Sequence, residues 1–245
     1  MKDKKNKEAV IFDMDGVIFD SETLVFQCWN VIAEKYGIKN VEEVCTQCLG
    51  INAVETKERF LTYYGRDFPY EEYKKEMAEL FHKTAAEGGL ELKPGVVELL
   101  AFLKEHGYKT AVASSTRKAV VESELTSAGI IHYFDQIVCG DMVKKSKPEP
   151  DIYLAAAEKI GVNPDTCYAI EDSYNGIRSA HRAGMDVIMV PDMLPANKEM
   201  EEICCNIFDS LFQVTAFLQE KNNQWISSVK VSPVSEDNKN CIKLV

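Results

Sequence analysis

Four short segments of the chain hold residue types able to do chemistry together. Asp13-Met14-Asp15-Gly16 sets two carboxylates two residues apart, directly after the apolar run Ala9-Val10-Ile11-Phe12. In an extended chain, residues i and i+2 point to the same side. Two acids so placed repel unless a cation or a shared proton relieves them, and Gly16 permits a tight turn and close backbone approach. A second acid pair, Glu171-Asp172, follows Cys167-Tyr168-Ala169-Ile170 and precedes Ser173. Hard oxygen ligands gathered in one place suit Mg²⁺, which keeps part of its water and also binds substrate phosphate. A calcium-binding EF-hand loop would need a glutamate at its twelfth position, and none is present. Ser114-Ser115-Thr116 stands just before a predicted helix, either as an ordinary helix cap or as hydrogen-bond donors to an anion. Lys147 opens Lys147-Pro148-Glu149-Pro150-Asp151, either as a surface lysine or as a partner for negative charge. Taken jointly, acids for a metal, hydroxyls, a lysine and a carboxylate nucleophile are what phosphoryl transfer needs, which is positioning and charge neutralisation.

The elements that must position these residues follow from hydrophobic period. Short apolar runs at 9–12, 109–113, 136–139, 167–170 and 187–190 read as buried strands, and helical patterns separate them. That alternation predicts an α/β fold with a parallel sheet, in which ligands sit at the carboxyl ends of the strands. Between the first two strands, residues 22–92 show helical periods only. Val25, Cys28, Trp29, Ile32, Ala33 and Tyr36 share one helical face, as do Tyr70, Tyr73, Met77, Leu80, Phe81 and Thr84. This stretch reads as a second, smaller domain inserted after the first strand, its apolar stripes packing between neighbouring helices. Pro94 fits the first turn of the next helix. Beyond Glu220 the pattern fades, with an edge strand at 226–234 as the reading and a polar tail after it.

Composition excludes several function classes. The 245 residues carry 28 basic and 39 acidic side chains, a net charge of −11. An acidic surface is a poor partner for nucleic acid, where affinity comes from neutralising phosphates. No apolar run reaches the ~18–20 residues of a membrane span. The apolar stretch after MKDKKNK is broken by Asp13, Asp15 and Asp20, unlike a signal peptide. Eight cysteines without an export signal read as reduced thiols in a cytoplasmic protein. Cys45-Thr46-Gln47-Cys48 has zinc-like spacing, but no second pair or nearby histidine completes a site, so helix packing is the reading.

With these segments in order, the chain resembles the haloacid dehalogenase (HAD) superfamily over about residues 8–215. IFDMDGVIFDSE matches its first motif, VASSTR the second, KSKPEPD the third and IEDSYNGI the fourth. The likeness is greatest to the β-phosphoglucomutase-like phosphatases. It implies a Rossmann-like core formed by 1–21 and 93–220, an α-helical cap at 22–92, and a C-terminal extension at 221–245 of unknown role. It also implies a phosphoric monoester hydrolase acting on a small phosphorylated metabolite, as a monomer, with Mg²⁺ as cofactor.

Carried over by position, the resemblance makes Asp13 the nucleophile that forms an aspartyl-phosphate, and Asp15 the general acid/base. Asp13, the backbone carbonyl of Asp15 and Asp172 would hold Mg²⁺, with Glu171 as auxiliary ligand. Ser114, Ser115 and Lys147 would bind phosphate, and Asn175 would give support. Within the cap, Glu22, Gly50, Ile51, Asn52 and His82 are the candidates for choosing the leaving group. The related mutases place a histidine where this chain has Val25, and an arginine after the glycine of Gly50-Ile51-Asn52-Ala53, which has no basic residue. A phosphatase is therefore favoured over a phosphohexomutase, with an inactive phosphate-binding domain as a further alternative. A bound Mg²⁺ would reconcile an acidic chain with an anionic substrate, because it inverts the local charge.

Overall fold

A computed structural model describes residues 7–48 and 53–230. Its strands are β1 (Ala9–Phe12), β2 (Lys109–Ser114), β3 (Gln136–Cys139), β4 (Cys167–Glu171), β5 (Asp186–Met189) and β6 (Asn206–Ile207). After β1 come the helices α1 (Ser21–Tyr36), α2 (Val41–Thr46), α3 (Ala53–Tyr64) and α4 (Tyr70–Thr84), and α5 (Val96–Glu105) leads into β2. Then α6 (Lys118–Ser127), α7 (Asp151–Ile160), α8 (Tyr174–Arg182) and α9 (Lys198–Ile203) alternate with the remaining strands, and α10 (Leu211–Lys230) follows β6.

All six strands are parallel, in the order β3-β2-β1-β4-β5-β6. The chain thus winds outward from β1 in one direction and then from β4 in the other. The carboxyl ends of β1 and β4 flank the point of reversal, where an open α/β sheet forms its crevice.

The period of two along each strand sorts side chains onto two faces. Val10, Phe12, Val112, Ile170 and Ile188 pack with Leu99 and Leu103 of α5, Val121 and Leu125 of α6, and Leu211, Val214 and Leu218 of α10. Ala9, Ile11, Ala111, Ala113, Ala169, Val187 and Met189 pack with Tyr153 and Ala156 of α7, Ile177 and Ala180 of α8, and Met200 of α9. Each large side chain so buried contributes about 1.5–3 kcal/mol, and the three layers brace the strand ends from both sides.

Helices α1–α4 close on an apolar cluster of their own, centred on Trp29, Phe60 and Tyr73. Trp29 lies 4.8 Å from Phe60 and 5.2 Å from Tyr73 between ring centroids, and the Tyr73 hydroxyl donates to the Trp29 carbonyl at 2.8 Å. Cys45 and Cys48 pack into this cluster, and burial pushes the Cys45 thiol up to about 12, as suits a packing residue. The outgoing and returning chains lie side by side. Asp20 N–H donates to Glu91 O at 2.9 Å, and Lys93 N–H donates to Ile18 O at 2.8 Å.

Three details differ from the sequence reading. Residues 226–230 are the last turn of α10, not part of an edge strand. Leu211, Val214 and Leu218 recur at helical spacing and dock on the sheet, and the helix continues across the 220/221 boundary. Pro94 precedes the helix cap, Gly95, rather than entering the first turn of α5. The two-residue β6 is too short to leave a periodic signal. Among the described residues, no helix is long and apolar enough to cross a membrane.

Candidate active site

β1 ends at Phe12, so Asp13 and Asp15 lie just past the strand rather than within it. Asp13 N–H still donates to Ile170 O on β4 at 3.0 Å, which holds Asp13 at the crevice. The chain then folds back, with Ile18 and Phe19 N–H both bonding Met14 O and Gly16 N–H bonding Phe19 O. Gly16 has φ +76°, and a Cβ there would collide with Asp172 Oδ2. Both the left-handed backbone and the close approach of Asp172 require glycine.

Lys147 lies at the centre of the cluster, with its side chain 7% exposed. Its ammonium donates to Asp13 Oδ1 at 2.7 Å and to Glu171 Oε1 at 2.6 Å. Burial alone would pull the Lys147 pKa down, but Asp13 and Glu171 outweigh it and hold the ammonium charged well above its usual range. The same Glu171 Oε1 accepts from the Tyr153 hydroxyl at 2.7 Å, and Oε2 accepts from Ser173 N–H and Oγ at 3.2 and 3.0 Å. Ser173 Oγ in turn accepts from Gly176 N–H at 3.1 Å and caps α8. A Cβ at residue 176 would overlap the Glu171 carboxylate, so that helix start must also be glycine.

Asp172, by contrast, has a buried Oδ1 without a hydrogen-bond partner. Burial, Glu171 and Asp13 push its carboxyl well above the ordinary range. For Asp13, burial and Glu171 outweigh the Lys147 attraction and raise the carboxyl to about 7. Asp15 accepts from the Thr116 hydroxyl at 3.2 Å and from Ser21, yet burial still raises its pKa. Asp13, Glu171 and Asp172 each place an oxygen within 4.8 Å of the others, the one such metal-ligating group among the described residues. An all-carboxylate donor set and an orphaned buried oxygen fit a hard divalent cation such as Mg²⁺.

The remaining candidates fall in different places. Ser114 is fully buried at the end of β2, and its Oγ accepts from Thr116 N–H at 3.1 Å, leaving its O–H free to donate. Ser115 is exposed. Asn175 is also exposed, and its side-chain carbonyl accepts from Arg178 at 3.1 Å. Glu22 lies in the first turn of α1, where burial together with Asp192, Asp15 and Asp20 raises its pKa. His82 is exposed on α4 with its ring against Phe81. Gly50, Ile51 and Asn52 lie outside the described residues.

Thr116 stood in the hydroxyl segment the sequence singled out, but sequence reasoning missed Tyr153 and Ser21 as site residues, and with them Asp192, just past the end of β5. Only Asp192 had a legible signal, being another acid at the carboxyl end of a core strand.

Comparison with known proteins agrees with this geometry. Residues 10–190 match the family model described as haloacid dehalogenase-like hydrolase. The Phosphorylated carbohydrates phosphatase of Thermotoga maritima is 36% identical over 191 residues, covering 74% of this chain and 83% of the relative. The β-phosphoglucomutase of Bacillus subtilis is also 36% identical over 191 residues, covering 75% of this chain and 83% of the relative. A crystal structure of CbbY from Rhodobacter sphaeroides in complex with phosphate superposes with a TM-score of 0.65 at 30% identity, covering 84% of this chain and 95% of that one. A parallel sheet whose strand ends gather these acids and this lysine, within a matched span of that length, makes the chain an enzyme of the haloacid dehalogenase-like hydrolase family.

Proposed function

We propose that this enzyme is a Mg²⁺-dependent phosphatase of small phosphate monoesters, sugar phosphates or similar metabolites, working through an aspartyl-phosphate. The observation that carries the reading is the buried Lys147 ammonium clamped between Asp13 and Glu171, beside the orphaned Asp172 oxygen. Asp13 and Asp172, with the backbone carbonyl of Asp15, would hold the cation, and Glu171 closes the same cluster. When bound, Mg²⁺ supplies positive charge against the phosphoryl oxygens.

In this mechanism Lys147 favours the ionised form of Asp13 against burial and Glu171, and adds its own charge to the phosphoryl group. An oxygen of Asp13 attacks phosphorus, and the bond from phosphorus to the ester oxygen breaks. Asp15, whose carboxyl burial pushes above its ordinary range, gives a proton to the leaving oxygen. It then takes a proton from water as the water oxygen attacks phosphorus, the bond to Asp13 breaks and inorganic phosphate leaves. Ser114 donates its free O–H to a phosphoryl oxygen. Glu171 has every oxygen occupied by donors, so its main work is to orient Lys147.

Helices α1–α4 serve as a cap over the crevice in this reading, and choose the leaving group. Glu22 is one candidate for that choice, with Gly50, Ile51, Asn52 and His82 as further ones. The names of the Thermotoga relative and the phosphate in the CbbY structure support a phosphorylated substrate. Val25 offers no proton donor or acceptor at the position of the mutase histidine, which favours hydrolysis over isomerisation. The deciding experiment measures Mg²⁺-dependent phosphate release from a panel of sugar phosphates, for the wild type and for Asp13→Asn. Release by the wild type and its loss in the variant are expected. Equal release by both sinks the mechanism, and isomerisation of glucose 1-phosphate with a bisphosphate primer, faster than release, would make the enzyme a mutase.

A further inference from the structure

One acid in the cluster has no part in the chemistry above. Asp192 follows β5, and its side chain is 9% exposed. Its Oδ1 accepts from Lys93 Nζ at 2.7 Å, while its Oδ2 is buried without a hydrogen-bond partner. Among the described residues, the one other buried side-chain oxygen or nitrogen in that condition is Asp172 Oδ1. The two carboxylates close on the same turn. A Cβ on Gly16 would collide with Asp172 Oδ2 and lie 3.2 Å from Asp192 Oδ2. Two buried carboxylates set against each other, each with an oxygen unsatisfied, are unfavourable unless a cation or a donor stands between them.

Asp192 is not one of the ligands themselves. The oxygens that come within 4.8 Å of one another belong to Asp13, Glu171 and Asp172. Asp192 therefore stands one step further out, where a Mg²⁺ ion that keeps several waters needs acceptors for their protons. We propose that Asp192 is a positioning residue for the cation, its Oδ2 accepting a hydrogen bond from a water of the hydration shell while Lys93 fixes its orientation. The assignment rests on the metal-dependent reading above. It also links two parts of the fold, because Lys93 belongs to the chain returning from α4, where its N–H bonds Ile18 O. The Lys93–Asp192 pair thus fastens that return to the cation site.

The test is Asp192→Asn, with Mg²⁺ affinity read by isothermal titration calorimetry and metal-free stability by thermal unfolding in EDTA. The amide can still accept from Lys93, but it turns a donor toward Asp172 in place of the acceptor that the water needs. Mg²⁺ binding is expected to weaken by about ten-fold or more. In EDTA the variant is expected to melt at or above the wild-type temperature, since a carboxylate repulsion has been removed. An affinity within about two-fold of wild type overturns the assignment, whatever the melting temperature, because a loss of the order of ten-fold is what an outer-shell partner produces. An unchanged affinity with a lower melting temperature would show that Asp192 only anchors Lys93. Should the wild type itself fail to bind Mg²⁺, the metal-dependent reading falls and this inference with it. Binding by the wild type with equal binding by the variant removes the inference alone.

Discussion

Replacing Lys147 with methionine removes one charge from a buried cluster while keeping nearly the same length of side chain. The lysine side chain is 7% exposed, and its ammonium bonds Asp13 at 2.7 Å and Glu171 at 2.6 Å, whose side chains are 10% and 0% exposed. Water therefore cannot replace it. Removing one member of such a buried set costs about 3–5 kcal/mol, a large part of the ~5–15 kcal/mol that holds a domain folded. The loss should depend on pH in a definite direction. In the metal-free protein the Asp13 carboxyl is raised from 3.8 to about 7, so its contribution to stability is fully present below pH 4 and is lost as pH rises toward 7. Without Lys147 that pKa moves higher still, and the variant goes on losing stability above pH 7, where the wild type has finished. Each unit of pH in that interval adds about 1.4 kcal/mol to the difference. Urea denaturation in EDTA at pH 6 and pH 8, followed by circular dichroism, measures both quantities. A loss of several kcal/mol at pH 8, clearly smaller at pH 6, is expected. A difference below about 1 kcal/mol, as for an exposed ion pair, or one that does not change with pH, would refute the reasoning.

Other perturbations have expected outcomes of their own. Gly16→Ala forces a left-handed backbone and pushes on Asp172, so thermal unfolding should show a loss of about 1–3 kcal/mol, and calorimetry should show weaker Mg²⁺ binding. Tyr153→Phe removes a donor from the buried Glu171 carboxylate and should cost about 1.5–3 kcal/mol in urea denaturation; a neutral result would mean that Lys147 and Ser173 suffice. Glu124, 9% exposed on α6, has its carboxyl pushed to about 7 by burial and by Asp15. Its ionisation costs stability as pH rises from about 4.5 to 7, so Glu124→Gln should be the more stable protein at pH 8, by about 1–3 kcal/mol. At pH 5, melting temperatures of variant and wild type should nearly coincide.

Much of the site is legible in the sequence because strand ends are marked locally. Runs such as Ala9–Phe12 and Cys167–Ile170 announce buried strands by composition, and the polar residues that follow them must lie at one edge of a parallel sheet. The arrangement within that edge is not legible there. Asp13 and Asp15 read as neighbours on a strand face, but β1 ends at Phe12 and a turn through Gly16 follows, closing on Asp172. Glu171 and Asp172 both read as metal ligands, yet Lys147, Tyr153 and Ser173 occupy the Glu171 oxygens and leave Asp172 unsatisfied. No local pattern distinguishes those two adjacent acids. The helical fate of residues 226–230 is equally hidden, because it depends on Leu211, Val214 and Leu218 finding the sheet.

By itself the sequence determined which residues could do the chemistry, that a parallel sheet would present them, and that a helical segment would be inserted after the first strand. Hydrophobic period and the order of polar residues along the chain are properties of neighbours, and they survive without a fold. Only the tertiary structure decided which carboxylate receives the lysine, which is left with an unsatisfied oxygen, and that Asp192 from the segment after β5 closes on the same turn. Those choices depend on the order β3-β2-β1-β4-β5-β6 and on distances of a few ångströms between groups as far apart in sequence as Asp13 and Asp172. In a buried site such distances set electrostatic energies that no local pattern encodes.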